Sequence, residues 1–515
     1  MTAGRARPAA LALTIGLLAI LAVLPLRASP ATGLTQGALL ARAYDLIYDA
    51  DFAGGEAALK QACPPAPAQA CEVLGVAASW WRIYFDLDNR SLDAAFKTRV
   101  NAVIDRGEAW VAREPGRAEA WFYLGAAYGF RVQYHGHRRE VLAAARDGKR
   151  IKVSLEKAIA LDPGLHDAYF GVGLYQYYAD IAPTVLKFVR WLLALPGGDK
   201  VAGLQQMRQT RHQGVLLKAE AAYQLHLIDL WYEHQPEEAI ALLDELAARY
   251  PHNPLFVLNA AQAHETYRND RPAALAAYLA LTEGARRGTL REPVLADGWG
   301  RLGAAAQLTA LSEADRAIDE ARVVIERRPA APYGAVAIAH LETARALDAL
   351  GRRDEAVAAY RAARAAAPAD DPRQIRRDAD SGLSRPPDRV TAEAARLSLE
   401  GWRALERGSL SAAAPALERA VQLRPDEGVH RYRRGRLWLA RQDGARAQAD
   451  FERALQVRPL PAPAFVAASL LELGRLAERA GDRPRAISHY TSALKVRGAD
   501  APTRAAATQA LAALR

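Results

Sequence analysis

A pattern of small, large and helix-breaking residues recurs at nearly constant spacing in the C-terminal half of this 515-residue chain. Its clearest copies run through Gly435, Ala447, Phe451, Ala454 and Pro459, and then through Gly474, Ala486, Tyr490 and Ala493. Earlier copies run from Gly351 to Pro368 and from Gly408 to Pro425. Small residues let two helices approach closely, a large residue fills the space between units, and proline ends the second helix. The pattern therefore predicts stacked helical hairpins instead of the three or four globular domains that chain length suggests.

These spacings resemble those of the tetratricopeptide repeat, a helix–turn–helix unit of about 34 residues. Weaker copies continue upstream to Trp121, which brings the expected number of units to nine. The region from Trp121 to Pro254 further resembles a group of uncharacterised exported bacterial tetratricopeptide proteins. The resemblance implies an all-α fold, an α-solenoid of stacked helix–turn–helix repeats with an irregular helical N-terminal cap.

The pattern divides the chain into five segments. They are a signal peptide at residues 1–31, an N-terminal helical cap at 32–117, a first repeat block with two enlarged repeats at 118–369, a linker at 370–390, and a C-terminal repeat block at 391–515. A linker is expected because Asp, Arg and Pro interrupt the apolar periodicity there. A cap is expected because the end of a solenoid has an apolar face to cover.

The first 31 residues have the features of an export signal. Arg5 and Arg7 precede an uncharged apolar stretch from Ala9 to Leu24, and Ser29 to Ala31 offers small residues for cleavage. The predicted location is the bacterial periplasm or the exterior. An alternative is an uncleaved N-terminal helix that anchors the protein, since the apolar run nearly reaches the length of a membrane span.

Cys63 and Cys71 flank a proline-rich turn between two helical patterns. In an oxidising compartment they are expected to form a disulfide, which stabilises so short a loop by about 2–3 kcal/mol. Two unpaired thiols are the alternative. A structural metal needs more ligands than this pair provides, and no metal or cofactor is expected.

In the tetratricopeptide family the first helix of every unit lines a concave groove that holds a partner's peptide or helix. The register of the repeats places on that groove the residues Phe122, Phe170, Tyr177, Gln224, Trp231, Phe256 and Asn259. Aromatic side chains anchor apolar groups of a partner, and amides bind a peptide backbone. The alternative is that these aromatics pack between helices.

An insertion between Tyr128 and Ile151 enlarges one repeat and is strongly basic. Its cations are Arg131, Arg138, Arg139, Arg146, Lys149 and Arg150. They suit an acidic partner or an anionic glycan, or else form a solvated helix face paired with carboxylates. The pair His135 and His137 in this insertion lacks a third metal ligand, so a solvated loop is the preferred interpretation. The second enlarged repeat carries an apolar stretch, 185–195, that suits peripheral membrane association, a partner or the core.

Motifs for catalysis are missing from the sequence. There is no phosphate-binding Gly-Lys-Ser/Thr loop, no His-Glu-x-x-His helix and no Gly-x-Ser-x-Gly turn. The formal charge of +10 falls to +7 without the three arginines of the signal, which gives little support to a nucleic-acid partner. The sequence therefore predicts a non-enzymatic exported scaffold for protein partners, in cell-envelope assembly or secretion. The alternatives are a glycan-binding accessory protein and an enzyme with a pocket at the enlarged repeats.

Overall fold

The computed structural model describes residues 33–181, 197–386, 388–458, 460–496, 499 and 501–514. The predicted signal peptide and the apolar stretch 185–195 lie outside the described residues. The helices are α1 (Gly37–Tyr48), α2 (Phe52–Ala62), α3 (Ala68–Phe85), α4 (Asp93–Arg113), α5 (Ala118–His137), α6 (Val141–Leu161), α7 (Ala168–Ile181), α8 (Lys200–Gln213), α9 (Lys218–Trp231), α10 (Pro236–Arg249), α11 (Pro254–Thr266), α12 (Arg271–Arg287), α13 (Pro293–Ala310), α14 (Ala314–Arg327), α15 (Ala335–Ala349), α16 (Arg353–Ala366), α17 (Ile375–Ser384), α18 (Arg389–Glu406), α19 (Leu410–Leu423), α20 (Gly428–Ala440), α21 (Gly444–Gln456), α22 (Pro463–Arg479), α23 (Arg483–Lys495) and α24 (Ala501–Ala513).

Most of these helices form hairpins that stack in chain order. Within the described ranges there are nine such pairs, from α5/α6 through α15/α16 and from α18/α19 through α22/α23. Local residues set the helix starts. Asp443 and Asp482 each accept a hydrogen bond from the backbone N–H three residues later, and Pro254 and Pro293 occupy first-turn positions. The all-α solenoid predicted from the repeat spacing is confirmed.

Small residues mark the places where the helices of a hairpin cross. A Cβ atom added to Gly435 would lie 2.7 Å from a ring carbon of Phe451, and one added to Gly474 would lie 2.4 Å from Tyr490. Both rings are fully buried. The large side chain on the second helix therefore fills the space that glycine leaves on the first, which is the physical basis of the spacing seen in the sequence.

The basic insertion lengthens two helices and does not form a long loop. Helix α5 has 20 residues and α6 has 21, whereas α21 and α23 have 13 each. His135 and His137 belong to the last turn of α5. The interpretation of these two histidines as part of a solvated loop is therefore wrong, because the helical register continues through them.

The stretch 370–390 is predicted as a linker, but its central part is helix α17. Ile375 and Ala379 are buried against the preceding hairpin α15/α16, and Tyr360 packs closely on Gly382. A flexible break at residues 375–384 is therefore wrong. The apolar face of α17 was too short to stand out from the surrounding Asp, Arg and Pro residues.

Cys63 and Cys71 are joined by a disulfide with an S–S distance of 2.02 Å. The bond connects the end of α2 to the first turns of α3. It holds together the N-terminal helical segment, which is helical as predicted. In the described part of the chain, no helix combines the length and the apolar character that crossing a membrane requires.

Candidate functional site

The N-terminal helices α1–α3 lie along the side of the array where the first helices of the hairpins begin. The pairs that join the two, from the first hairpin to the sixth, are Thr35–Glu119, Tyr48–Glu220, Asp49–His252, Asp51–Arg291, Asp86–Tyr333 and Asp88–Arg373. The segment thus extends much farther along the solenoid than an end cap does. It covers part of the surface, formed by the first helices of the hairpins, on which the tetratricopeptide resemblance predicts a partner to bind.

Glu220 of α9 is the buried centre of this contact. Its carboxylate accepts hydrogen bonds from the hydroxyl groups of Tyr44 at 3.0 Å and Tyr48 at 2.6 Å. Burial raises the pKa of Glu220, while the hydrogen bonds from the two tyrosines and Gln224 oppose the rise. The two tyrosines of α1 are thereby tied to a residue more than 170 positions away in sequence.

Closely packed aromatic rings, most of them edge-on or tilted, surround this carboxylate. The ring centroid of Tyr48 lies 4.8 Å from that of Trp81 and 5.3 Å from that of Tyr250. Trp81 in turn meets Tyr223 of α9 edge-on at 5.3 Å, and Tyr48 also stacks on Phe256 of α11 at 6.2 Å. Aromatic pairs in this distance range stabilise beyond their buried area, so the N-terminal helices are firmly docked.

Most of the residues predicted to line the groove are buried. Phe122, Phe170, Tyr177 and Phe256 are at most 7% exposed and belong to the main hydrophobic core. The prediction that these four face a partner is therefore wrong, because they fill the spaces between helices and beneath α1–α3.

The two predicted groove amides are also engaged within the chain. Gln224 bonds to Glu220, and the side-chain amide of Asn259 donates to the Tyr223 hydroxyl at 2.9 Å. Trp231 differs from the other six predicted residues, since it is 48% exposed.

Trp231 belongs to an exposed aromatic edge that the sequence pattern did not reveal. Tyr232 follows it as the C-cap residue of α9, and Tyr267 is the C-cap residue of α11. Their exposed fractions are 43% and 40%. Equivalent positions of consecutive repeats lie on one side of a solenoid, so these three rings share an edge. We call Trp231, Tyr232 and Tyr267 the aromatic edge.

The described residues form nine stacked hairpins, and at the repeat positions a small residue on one helix packs against a large side chain on the other. The array is an α-solenoid of stacked helical hairpins, the architecture that the tetratricopeptide resemblance implies. No protein-family model and no curated protein matches the chain.

Among solved structures, the solenoid is similar to a tetratricopeptide repeat protein from Parabacteroides merdae, at 15% identity over 57% of this chain and 98% of that one, with a TM-score of 0.25. It is similar to the Cut9–Hcn1 assembly of the APC/C, at 13% identity over 97% of this chain and 92% of that one, with a TM-score of 0.26. It is also similar to human IFIT1 with m7Gppp-AAAA, at 14% identity over 94% and 82%, with a TM-score of 0.22.

Two of the cations in the basic insertion hold helices of the solenoid together. Arg131 forms two hydrogen bonds with the buried Asp147 of α6, at 2.7 and 2.8 Å. Arg138 does the same with Asp93 of α4, both at 2.8 Å. These two arginines are therefore structural, which corrects their assignment to a docking surface. The exposed members of the set are Arg139, Arg146, Lys149 and Arg150, and their binding of an acidic partner remains a prediction.

The two histidines of the insertion have separate environments. His135 pairs with Glu140, whereas His137 packs against the rings of Trp80 and Tyr84 at 5.6 and 5.3 Å. Burial lowers the pKa of His137, and the charge of Arg138 adds to this effect. No group of three or more metal-binding side chains comes together within the ranges that the structure describes.

The buried carboxyl of Asp229 beside the aromatic edge predicts a pH-dependent stability. Burial raises its pKa to about 6, with Glu238 and Glu233 adding to the rise and Arg208 opposing it. Because an unfolded aspartate has a pKa of about 3.9, the folded state holds this proton more tightly. The stabilising contribution of the proton is therefore present below about pH 4 and is lost as the pH rises through 6.

The Asp229→Asn variant is expected to be more stable than the wild type by about 2 kcal/mol above about pH 7, and to lose this advantage near pH 4. Urea unfolding at both pH values measures the difference. Asp244→Asn, which removes an exposed carboxylate from the next helix that does not act on Asp229, is the matched control and should change little. A difference between Asp229→Asn and wild type that is the same at both pH values would contradict the raised pKa.

Proposed function

We propose that the protein is an exported, non-enzymatic tetratricopeptide scaffold that binds a protein partner at the aromatic edge. The observation that carries this proposal is the exposure of Trp231, Tyr232 and Tyr267 on a solenoid whose other predicted groove aromatics are buried. Large aromatic side chains are the groups that most often dominate binding energy at protein interfaces. Their position at repeat-equivalent helix ends suits an extended peptide or a helix laid across successive repeats.

Because helices α1–α3 cover part of the inner surface of the repeats, we expect the partner to bind at the aromatic edge instead. Helices α1–α3 already donate hydrogen bonds to Glu220 and stack on Phe256. A partner that bound to the same surface would therefore have to displace an aromatic cluster. The aromatic edge needs no such rearrangement, because its rings are exposed in the folded chain. Binding there leaves the N-terminal helices in place.

Export is supported by the signal-like N-terminus and by the Cys63–Cys71 disulfide, since disulfides persist in oxidising compartments. We place the protein in the bacterial cell envelope, in the assembly or secretion of envelope components. A reporter that is active only in the periplasm, fused after residue 40, tests this location. We expect activity, and we expect it to disappear when a charged residue is introduced between Leu17 and Leu24.

Photo-crosslinking in intact cells tests the partner site. A photoreactive amino acid at position 231 or 267 should form adducts with a protein, whereas the same probe at the exposed Val390 should not. The double substitution of Trp231 and Tyr232 by alanine should abolish the adduct from position 267. It should lower the free energy of unfolding by no more than about 2–3 kcal/mol, because about half of each ring is exposed, although Tyr232 packs against Tyr177 and Tyr178.

Adducts of equal yield at position 390, or none at 231 and 267, would refute the aromatic edge as the partner site. Adducts with polysaccharide instead of protein would favour the glycan-binding alternative, in which the Trp231 ring stacks on a sugar.

A further inference from the structure

Two cavities in the C-terminal half of the solenoid meet at one arginine. The larger, of about 730 Å³, lies between α12–α14 and the first helices of the last three hairpins. The smaller, of about 560 Å³, lies between α15 and α20. Both are lined by Ser312, Leu399 and Arg433. Each volume lies in the range of ligand sites in proteins, and the shared wall makes them two parts of one elongated site.

Arg433 of α20 is buried without a carboxylate partner among the described residues. Only 4% of the residue is exposed. Its guanidinium donates to the Ser398 hydroxyl at 3.1 Å and to the Ser312 carbonyl at 3.2 Å, while its Nε has no hydrogen-bond partner. Burying a cation without a neighbouring anion destabilises the folded state. A contribution to stability therefore does not explain why an arginine stands at this position.

The charges around Arg433 do not neutralise it. Burial lowers the pKa of its guanidinium to about 10, although Glu406 and Glu313 act on it from a distance in the opposite sense. Glu313 already pairs with Arg316. The Arg433 side chain thus stays charged at neutral pH and retains donor capacity for a further anion.

The smaller cavity is cationic. Arg424 and Arg385 line it, both exposed, and neither forms an ion pair with a described residue, whereas Glu427 is one of the two acidic residues in the lining. His430 lines it as well, and burial followed by the charges of Arg433 and Arg424 lowers its pKa to about 3, so it is neutral. Arg345 and Asp348 also line the cavity, but each is already paired with another side chain of the protein. A carboxylate entering here would therefore meet four arginines, three of them without a carboxylate partner among the described residues, and two acidic groups.

The larger cavity offers an aromatic wall. Trp402, Tyr432 and Phe465 come from the first helices of three successive hairpins, with ring centroids 6.1 and 5.3 Å apart. The guanidinium of Arg433 lies 5.9 Å from the Phe465 ring. An apolar side chain next to a carboxylate would therefore find a complementary surface on the other side of the arginine.

We propose that the two cavities bind an acidic peptide segment, with a carboxylate on Arg433 and Arg424 and a neighbouring apolar side chain against Trp402 and Phe465. This proposal rests on the proposed function, since it names a second contact for a protein partner of the scaffold. A peptide fits better than a small anion because the site continues from a cationic cavity into an aromatic one. The planar fork of arginine matches a carboxylate through two parallel hydrogen bonds.

Fluorescence anisotropy with two dye-labelled peptides tests the site. One peptide has the sequence Gly-Phe-Glu-Leu-Glu-Phe-Gly, and the other has Gln at both Glu positions. The full chain should bind the first peptide at least tenfold more tightly than the second. Arg433→Gln should weaken binding of the first about 10- to 100-fold, as the loss of hydrogen bonds to a charged group implies. Arg424→Gln should weaken it severalfold, and Glu427→Gln should tighten it.

Arg479→Gln is the matched control, because it removes one exposed positive charge from the end of α22, where no described carboxylate pairs with it. It should leave the affinity unchanged. A purely structural Arg433 would instead lower the melting temperature when replaced, whereas removal of an unpaired buried charge should maintain or raise it. If Arg433→Gln fails to fold, Arg424→Gln and Glu427→Gln still decide the question, since both residues lie at the more accessible part of the cavity.

Equal affinity for the two peptides would overturn the proposal, and so would binding that neither arginine substitution changes. Arg433-dependent binding of inorganic phosphate to the full chain, without binding of the Glu peptide, would also overturn it in favour of a phosphate site. These failures are separable from failure of the proposed function, because crosslinking from position 231 reports a surface on the first repeat block and does not depend on Arg433.

Discussion

Replacing Tyr48 by alanine is expected to lower the free energy of unfolding by about 3–5 kcal/mol, the usual cost of removing a fully buried aromatic side chain. Tyr48 is 1% exposed and contacts Trp81, Tyr250 and Phe256. Its hydroxyl also bonds to Glu220, so truncation leaves a cavity and weakens the support of a buried carboxylate. Urea unfolding measures the loss, and hydrogen exchange should show faster opening of α1–α3.

Two tyrosine substitutions serve as controls for this result. Tyr48→Phe keeps the ring and loses only the bond to Glu220, which retains the bond from Tyr44, so the expected cost is about 1–2 kcal/mol. Tyr267→Ala removes an exposed ring and should change stability by no more than about 0.5 kcal/mol. If Tyr48→Ala costs as little as Tyr267→Ala and exchange in α1–α3 is unchanged, the N-terminal helices are not held by this cluster.

Gly303→Ala is expected to destabilise the protein by about 1–3 kcal/mol, although alanine is normally the better helix former. A Cβ atom at this position would lie 2.2 Å from two ring carbons of Tyr278. The ring has little freedom to move, because it is 5% exposed and its hydroxyl donates to Glu265 at 3.1 Å. The crossing of α12 and α13 would therefore have to widen, which disturbs the stacking of the fourth and fifth hairpins.

The opposite sign is expected for Gly129→Ala in the interior of α5. Nothing lies within 4 Å of a Cβ atom there, so the change should stabilise by about 0.5–1 kcal/mol through helix propensity alone. Thermal or urea unfolding of the two variants side by side separates close packing from propensity. Stabilisation by both substitutions would show that the glycine at position 303 is not required by the contact with Tyr278.

Helices α1 and α3 occupy the surface on which the tetratricopeptide resemblance predicts a partner to bind. In the family pattern the inner surface is the binding surface, but here Glu220 and the rings around it are satisfied by the chain's own α1 and α3. The surfaces that remain are the aromatic edge and the paired cavities at Arg433. The aromatic edge belongs to the third and fourth hairpins, whereas the cavities reach from the fourth hairpin to the last, so one partner contacting both would extend along much of the solenoid.

Local patterns were sufficient to predict the helices and their stacking. The glycine and aromatic spacing determines which helices cross, since Gly435 meets Phe451 and Gly474 meets Tyr490, each pair only 16 positions apart. The disulfide was also predictable, because Cys63 and Cys71 are close in sequence. Helix α17 was not predicted, since its few apolar residues stand among turn-forming ones.

What the sequence by itself determined is therefore the repeat: helical hairpins packed through small residues, two of them enlarged, with nine units in the described array. Only the tertiary structure decided which aromatics are exposed, because that depends on where a distant segment lies. Tyr48 and Glu220 are 172 residues apart, and no periodic pattern encodes their meeting. The same holds for Arg433, whose lack of a counter-ion follows from the placement of several helices at once. Periodicity reports contacts between neighbouring helices, whereas burial and charge pairing between α1–α3 and the repeats result from contacts between segments far apart in sequence.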